Sequence, residues 1–142
     1  MNPIFKHQSE MDRLSTACPP ADSIPKEGKA FRWVFDEMSD ERNFMPHYFR
    51  HPGLVHEFGD LKKCRALGRS MFDSLSNARI ALLFRLESLN PRTRARKETQ
   101  IAEGAILDTE GLCGPTDAKG HFTFHPVESS TFETRFSVIE RI

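Results

Sequence analysis

The stretch Ala66–Pro91, ALGRSMFDSLSNARIALLFRLESLNP, constrains the fold most, because it carries the longest apolar periodicity in the chain and both of its ends are marked. Asp73-Ser74 are N-cap residue types set just before the periodic run. Asn90-Pro91 close it, since a residue that precedes proline is pushed out of the helical region. The spacing predicts a helix over Ser74–Leu89 with Leu75, Ala78, Leu82, Leu86 and Leu89 on one face. Ile80, Leu83 and Phe84 widen that face, so the expectation is a helix covered on more than one side.

Around this helix, period-two alternation marks strands. Ala30–Phe35 (AFRWVF), Arg65–Phe72, Thr99–Leu107, His121–His125 (HFTFH) and Phe132–Ile139 read as strands, with Gly104 at a bulge. Asn43–Phe49 is interrupted by Pro46 and reads as an edge strand or irregular segment, Leu54–Lys63 as weakly helical or loop. Asp108–Gly120, rich in glycine, reads as a loop. The class is therefore α+β, a largely antiparallel sheet packed against one main helix. The 142 residues suffice for one domain with its own core. Residues 1–29 hold Pro3, Pro19, Pro20 and Pro25 and read as an extended or disordered N-terminal arm with a short helical turn near Ser9–Leu14, and residues 30–142 as the domain. With only Ile4-Phe5 as an apolar run at the start, neither a signal peptide nor a membrane span is expected.

The formal net charge of zero hides a segregation. Residues 1–61 hold 7 basic and 10 acidic groups, residues 62–97 hold 10 and 2, and residues 98–142 hold 3 and 8. Either acidic ends compensate a basic centre internally, or Lys62, Lys63, Arg65, Arg69, Arg92, Arg94, Arg96 and Lys97 form a surface for a phosphate-bearing or acidic partner. Asp73-Ser74 could add a helix N-terminus to an anion site, although no GxxxxGK[ST] is present. The RTRARK run permits contacts to nucleic acid backbone, but no recognised nucleic-acid motif accompanies it.

Cys18, Cys64 and Cys113 are odd in number and widely spaced, so no disulfide and a reducing, cytoplasmic compartment are expected. Cys64 lies between Lys63 and Arg65, a setting that would depress a thiol pKa. Ser70, in GRS, lacks the GxSxG elbow of a serine nucleophile. His47 and His51, and His121 and His125, are pairs at i,i+4. With Cys113, Glu128 or Glu133 they would make a zinc set, but the spacing signal is weak and no metal is expected. On a strand that spacing puts the two rings about 13 Å apart, which leaves His121 and His125 as poor ligand partners.

A strand carrying Arg32 in FRWVF, a later serine in GRSMFDSLSNAR running from strand into helix, and an acidic residue near a C-terminal strand together resemble the ADP-ribosyltransferase-like superfamily, including the small RES-type toxins. The resemblance implies that Arg32 holds NAD by its phosphate or ribose, that Ser70 shapes the pocket, and that Glu128 or Glu133 is the late acid. The chain departs from the pattern in having no Glu-x-Glu pair. Two functions follow as expectations. The first is a small accessory or regulatory subunit without a cofactor, holding a protein or nucleic acid partner through residues 62–97. The second is an NAD-using transferase or toxin-like enzyme.

Overall fold

Local signals and long-range pairing together give one six-stranded antiparallel sheet in the computed structural model, which describes residues 3–142. The strands are β1 (Gly28–Val34), β2 (Arg69–Phe72), β3 (Gln100–Ile106), β4 (Gly111–Cys113), β5 (His121–Pro126) and β6 (Ser137–Arg141), in the spatial order β4-β5-β2-β1-β3-β6. The helices are α1 (Gln8–Asp12), α2 (His47–Arg50), α3 (Pro52–Val55), α4 (Asp60–Leu67), α5 (Leu75–Glu87) and α6 (Pro91–Arg94). The expected α+β class with an antiparallel sheet is the observed one. Among the described residues, no helix is long and apolar enough to cross a membrane.

Helix α5 forms where its cap and period place it. Ser74 accepts a hydrogen bond from the Asn77 backbone N–H at 3.1 Å, satisfying one of the free donors of the first turn. Ala78, Leu82 and Leu86 are buried against Phe31, Phe72 and Ile101 of the sheet, with Leu75 and Leu89 packed at the margin. The wider stripe is not covered: Ile80, Leu83 and Phe84 are 63%, 38% and 76% exposed. One face of the helix therefore meets the sheet and the other faces solvent.

The opposite face of the sheet carries the phenylalanine-rich core, in which Phe122 and Phe124 of β5 meet Phe132 and Phe136 below Ala30, Val34 and Met71. Gly104 sits in β3 because a Cβ there would lie 2.4 Å from the Phe136 ring. The irregularity in the β3–β6 pairing falls between Ile101 and Ala102, so Gly104 is a close-packing position and not the expected bulge.

Several boundaries differ from the sequence reading for identifiable reasons. Arg65–Leu67 belong to α4 and not to a strand, because Asp60–Leu67 consists mostly of helix formers and the helix stops at Gly68. Pro46 opens α2 at its N-cap instead of interrupting a strand. Asn90 caps α6 through the Thr93 N–H at 2.9 Å with Pro91 at its first position, so RTRARK begins helical. Phe132–Arg135 is a 3-10 turn ahead of β6, and the glycine-rich loop contains β4.

The N-terminal arm is fastened to the domain at several points. Phe5 bridges Val127, Ile24 bridges Cys113, and Phe5 and Met11 are buried with Leu67. Cys18 and Cys64 form a disulfide across a sequence separation of 46, which overturns the expectation of none. Cys113 is the free cysteine and is buried.

Candidate functional site

Seven paired positions join β1 to β3, whereas β1 and β2 meet at the single position Phe31↔Phe72. The two central strands therefore separate, and the gap admits the Arg32 side chain. Its Nε–H donates to the Asn43 carbonyl at 3.0 Å and its Nη1–H to the Ser70 carbonyl at 2.8 Å, so the guanidinium ties β1 to β2 where their own ladder has ended. Burial pushes the Arg32 pKa down to about 10, partly offset by Glu98, which still leaves it charged at neutral pH.

This gap opens into a cleft of about 1090 Å³, walled on one side by α2 to α4 and on the other by Trp33 and Arg85. Trp33 is held by an Nε1–H bond to the Ala78 carbonyl at 3.0 Å and stacks on Phe72 at 5.4 Å. The Arg85 guanidinium lies 5.3 Å from the Trp33 ring. Across the cleft Phe58 carries Lys62 at 4.2 Å. Arg32, Arg50, Lys62, Arg65, Arg85 and Lys97 line the space against two carboxylates, Asp60 and Glu98. Glu98 Oε2 meets Arg50 at 3.4 Å while its buried Oε1 has no partner, and Asp60 accepts from Ser15. A low-dielectric cleft with an excess of fixed cations attracts an anionic ligand, and guanidinium groups suit phosphate in particular.

Ser70 and His121 form the floor. Their strands are adjacent in register, Ser70↔Thr123 and Phe72↔His121, and Ser70 Oγ shares a hydrogen bond with His121 Nε2. Asp117 Oδ1 accepts from the Lys119 and His121 backbone N–H groups at 2.8 and 3.0 Å. Its other oxygen lies 3.9 Å from His121 Nδ1, an ion-pair approach longer than a hydrogen bond. Burial holds the His121 pKa below its ordinary value, Asp117 opposes that shift and Arg65 adds to it.

The residues singled out in the sequence are distributed as follows. Arg32 and Ser70 line one cleft, while Glu128 and Glu133 do not. Glu128 is exposed beyond β5, and Glu133 pairs with Lys6 of the arm at 3.7 Å. The eight cations singled out among the ten of residues 62–97 do not share a face. Lys62, Arg65 and Lys97 line the cleft, and Lys63, Arg92, Arg94 and Arg96 lie outside it. Arg69 is buried, donating to the Leu67 carbonyl at 3.1 Å and to His7 at 3.3 Å, and burial lowers its pKa to about 9. The α5 N-terminus is not an anion site, because Asp73 and Asn77 bond each other at 2.8 Å and Gly120 packs on both.

Cys64 cannot be a thiolate nucleophile while bonded to Cys18. Of the described His, Cys, Asp and Glu residues, the group with metal-like proximity is Cys18, Cys64 and His125, in which two members are already joined to each other. His125 is buried and donates its Nε2–H to the Cys64 carbonyl at 2.9 Å, and His121 stands apart at Ser70. Sequence reasoning missed Asp117 and the contact of His121 with Ser70. The available signal was the turn Asp117-Ala-Lys-Gly-His121, in which a loop carboxylate caps its own turn four residues before a strand histidine.

Compared with family models, with curated proteins and with solved structures, the chain has no match.

Proposed function

We propose that the cleft binds NAD or a closely related dinucleotide as substrate and that the protein is an ADP-ribosyltransferase-like enzyme. The observation that carries this reading is the convergence of Arg32 and Ser70, from two separated strands, on one cleft lined by cations and an aromatic wall. At about 1090 Å³ the space lies just above the range of ordinary small-molecule sites, which suits a dinucleotide better than a single phosphate. In this arrangement Arg32, Arg65 and Lys62 face the pyrophosphate, and Trp33 offers an aromatic surface to one of the bases.

The other reading, an accessory subunit holding an acidic protein or nucleic acid through residues 62–97, is supported by the exposed Arg92, Arg94 and Arg96 and by Lys62 and Lys97 at the cleft. Burial of Arg69 and the separation of the other cations weaken it. The disulfide supports an oxidising compartment over the cytoplasm expected from cysteine number, and thiol counting on protein from its native cells decides between them.

Saturation-transfer NMR with NAD tests the principal reading. Transfer to both the adenine and nicotinamide protons, abolished by ADP-ribose, is expected. Transfer to neither, with tight binding of a single-stranded oligonucleotide, would favour the other reading.

A further inference from the structure

The NAD reading leaves one chemical gap, because neither Glu128 nor Glu133 reaches the cleft to act on the acceptor. The base must come from elsewhere. Glu98 Oε2 meets Arg50 at 3.4 Å and the carboxylate stays buried beside that cation, its Oε1 having no partner; Asp60 accepts from Ser15, and the rings of His47 in α2 and His51 just after it lie tilted against each other at 4.6 Å. Of these groups lining the cleft, His121 is the one bonded to the Ser70 hydroxyl.

We infer that Ser70, His121 and Asp117 form a proton relay that activates the acceptor hydroxyl, so that a histidine on β5 does the work of the missing late carboxylate. The inference rests on the NAD reading for its substrate and on the geometry of β2 and β5 for its parts. Asp117 is fixed by two backbone N–H groups to Oδ1, which leaves Oδ2 turned to His121 Nδ1. A proton on Nδ1 then faces a carboxylate, and Nε2 carries the lone pair that accepts the Ser70 hydroxyl. Phe72 packs edge-on against the ring at 5.5 Å and fixes its plane. The charged groups facing His121 are Asp117 from the loop before β5 and Arg65 from α4. The arm adds Asp22, which lines the adjoining cavity.

In the step, the acceptor oxygen, supplied by water or an alcohol, bonds to the anomeric carbon of the nicotinamide ribose. The carbon–nitrogen bond to nicotinamide breaks, and its electron pair remains on the pyridine nitrogen, which leaves neutral. The acceptor proton passes to Ser70 Oγ as the Ser70 proton moves to His121 Nε2. The imidazolium so formed is stabilised by Asp117.

Two measurements on the full chain test this. Long-range nitrogen–proton NMR reads the His121 tautomer without any ligand. The Nδ1–H form in wild type is expected, and an Nε2–H form would overturn the relay, since Nε2 could not then accept from Ser70. The second measurement is nicotinamide release from NAD against pH. His121→Gln should lose about 100-fold in rate with NAD affinity within about threefold of wild type. Wild type should lose rate on acidification below the ordinary histidine value. In Asp117→Asn, exposed and so expected to fold, that acid limb should move to lower pH, because Asp117 holds the His121 pKa up. Full rate in His121→Gln, or an acid limb unmoved in Asp117→Asn, would overturn the relay. Absence of NAD binding by wild type would instead sink the NAD reading, and the tautomer would still decide the relay.

Discussion

The Arg32 guanidinium and the Ser70 carbonyl lie 2.8 Å apart across the gap where β1 and β2 stop pairing, and this bond joins the architecture of the sheet to the chemistry of the cleft. One N–H of a buried cation closes the split, and the same guanidinium lines the cleft.

Arg32→Ala leaves the Asn43 and Ser70 carbonyls without their charged donor, so a loss of about 2 kcal/mol in unfolding free energy is expected. Arg32→Lys should recover only part of it, because an ammonium does not reproduce the fork that reaches both oxygens. Urea unfolding of the two variants checks this. Equal stability of Arg32→Ala and wild type would contradict the bridging role.

The crosslink between Cys18 and Cys64 closes a loop of separation 46 and fastens the arm to α4, which walls the cleft. Loop-closure entropy gives a stabilisation of about 4 kcal/mol for a loop of that size. Thermal unfolding with and without dithiothreitol, and of Cys18→Ser, should show a matching fall in midpoint. An unchanged midpoint would mean that burial of Phe5 and Met11 alone holds the arm.

Gly104→Ala would drive a methyl into the Phe136 ring, which is itself boxed in by Phe44 and Phe132. A cost of about 1–3 kcal/mol is expected from overpacking. Gly53→Ala, where an added Cβ meets nothing, serves as the control in the same unfolding series.

Histidines 7, 47, 51, 121 and 125 are all held below their ordinary value of 6.5, chiefly by burial. Their folded pKa values lie below the unfolded one, so between the two the unfolded chain binds more protons. Stability is then complete above 6.5 and falls as pH drops through it. The lowered carboxylates Asp40, Asp60, Asp117 and Glu140 act in a more acidic window. A lower melting midpoint at about pH 5 than at about pH 7.5 is expected, with a shallower slope in His125→Gln. A midpoint that rises on acidification would contradict this.

The fold was legible where the signal is local. The α5 cap, period and proline stop are all contained within Asp73–Pro91, and the Phe122 and Phe124 alternation shows in five residues of β5. The sequence could not show that Ile80 and Phe84 lack a neighbour, because an apolar stripe records what a helix can bury and not what covers it. Nor could it pair Cys18 with Cys64, which depends on how the arm folds back. For the candidate site, the sequence singled out Arg32 and Ser70, and both line the cleft. The connection of His121 and Asp117 to Ser70 was not legible, because it exists only once β2 and β5 are neighbours.

Isothermal titration of the full chain with NAD tests the central claim most directly, alongside ADP-ribose and the double variant Lys62→Ala/Arg65→Ala, whose exposed side chains leave the core intact. The expected result is a Kd between about 1 μM and 1 mM for wild type, weakened about tenfold or more in the variant and by added salt. No heat with either ligand, or equal affinity in wild type and variant, would contradict it.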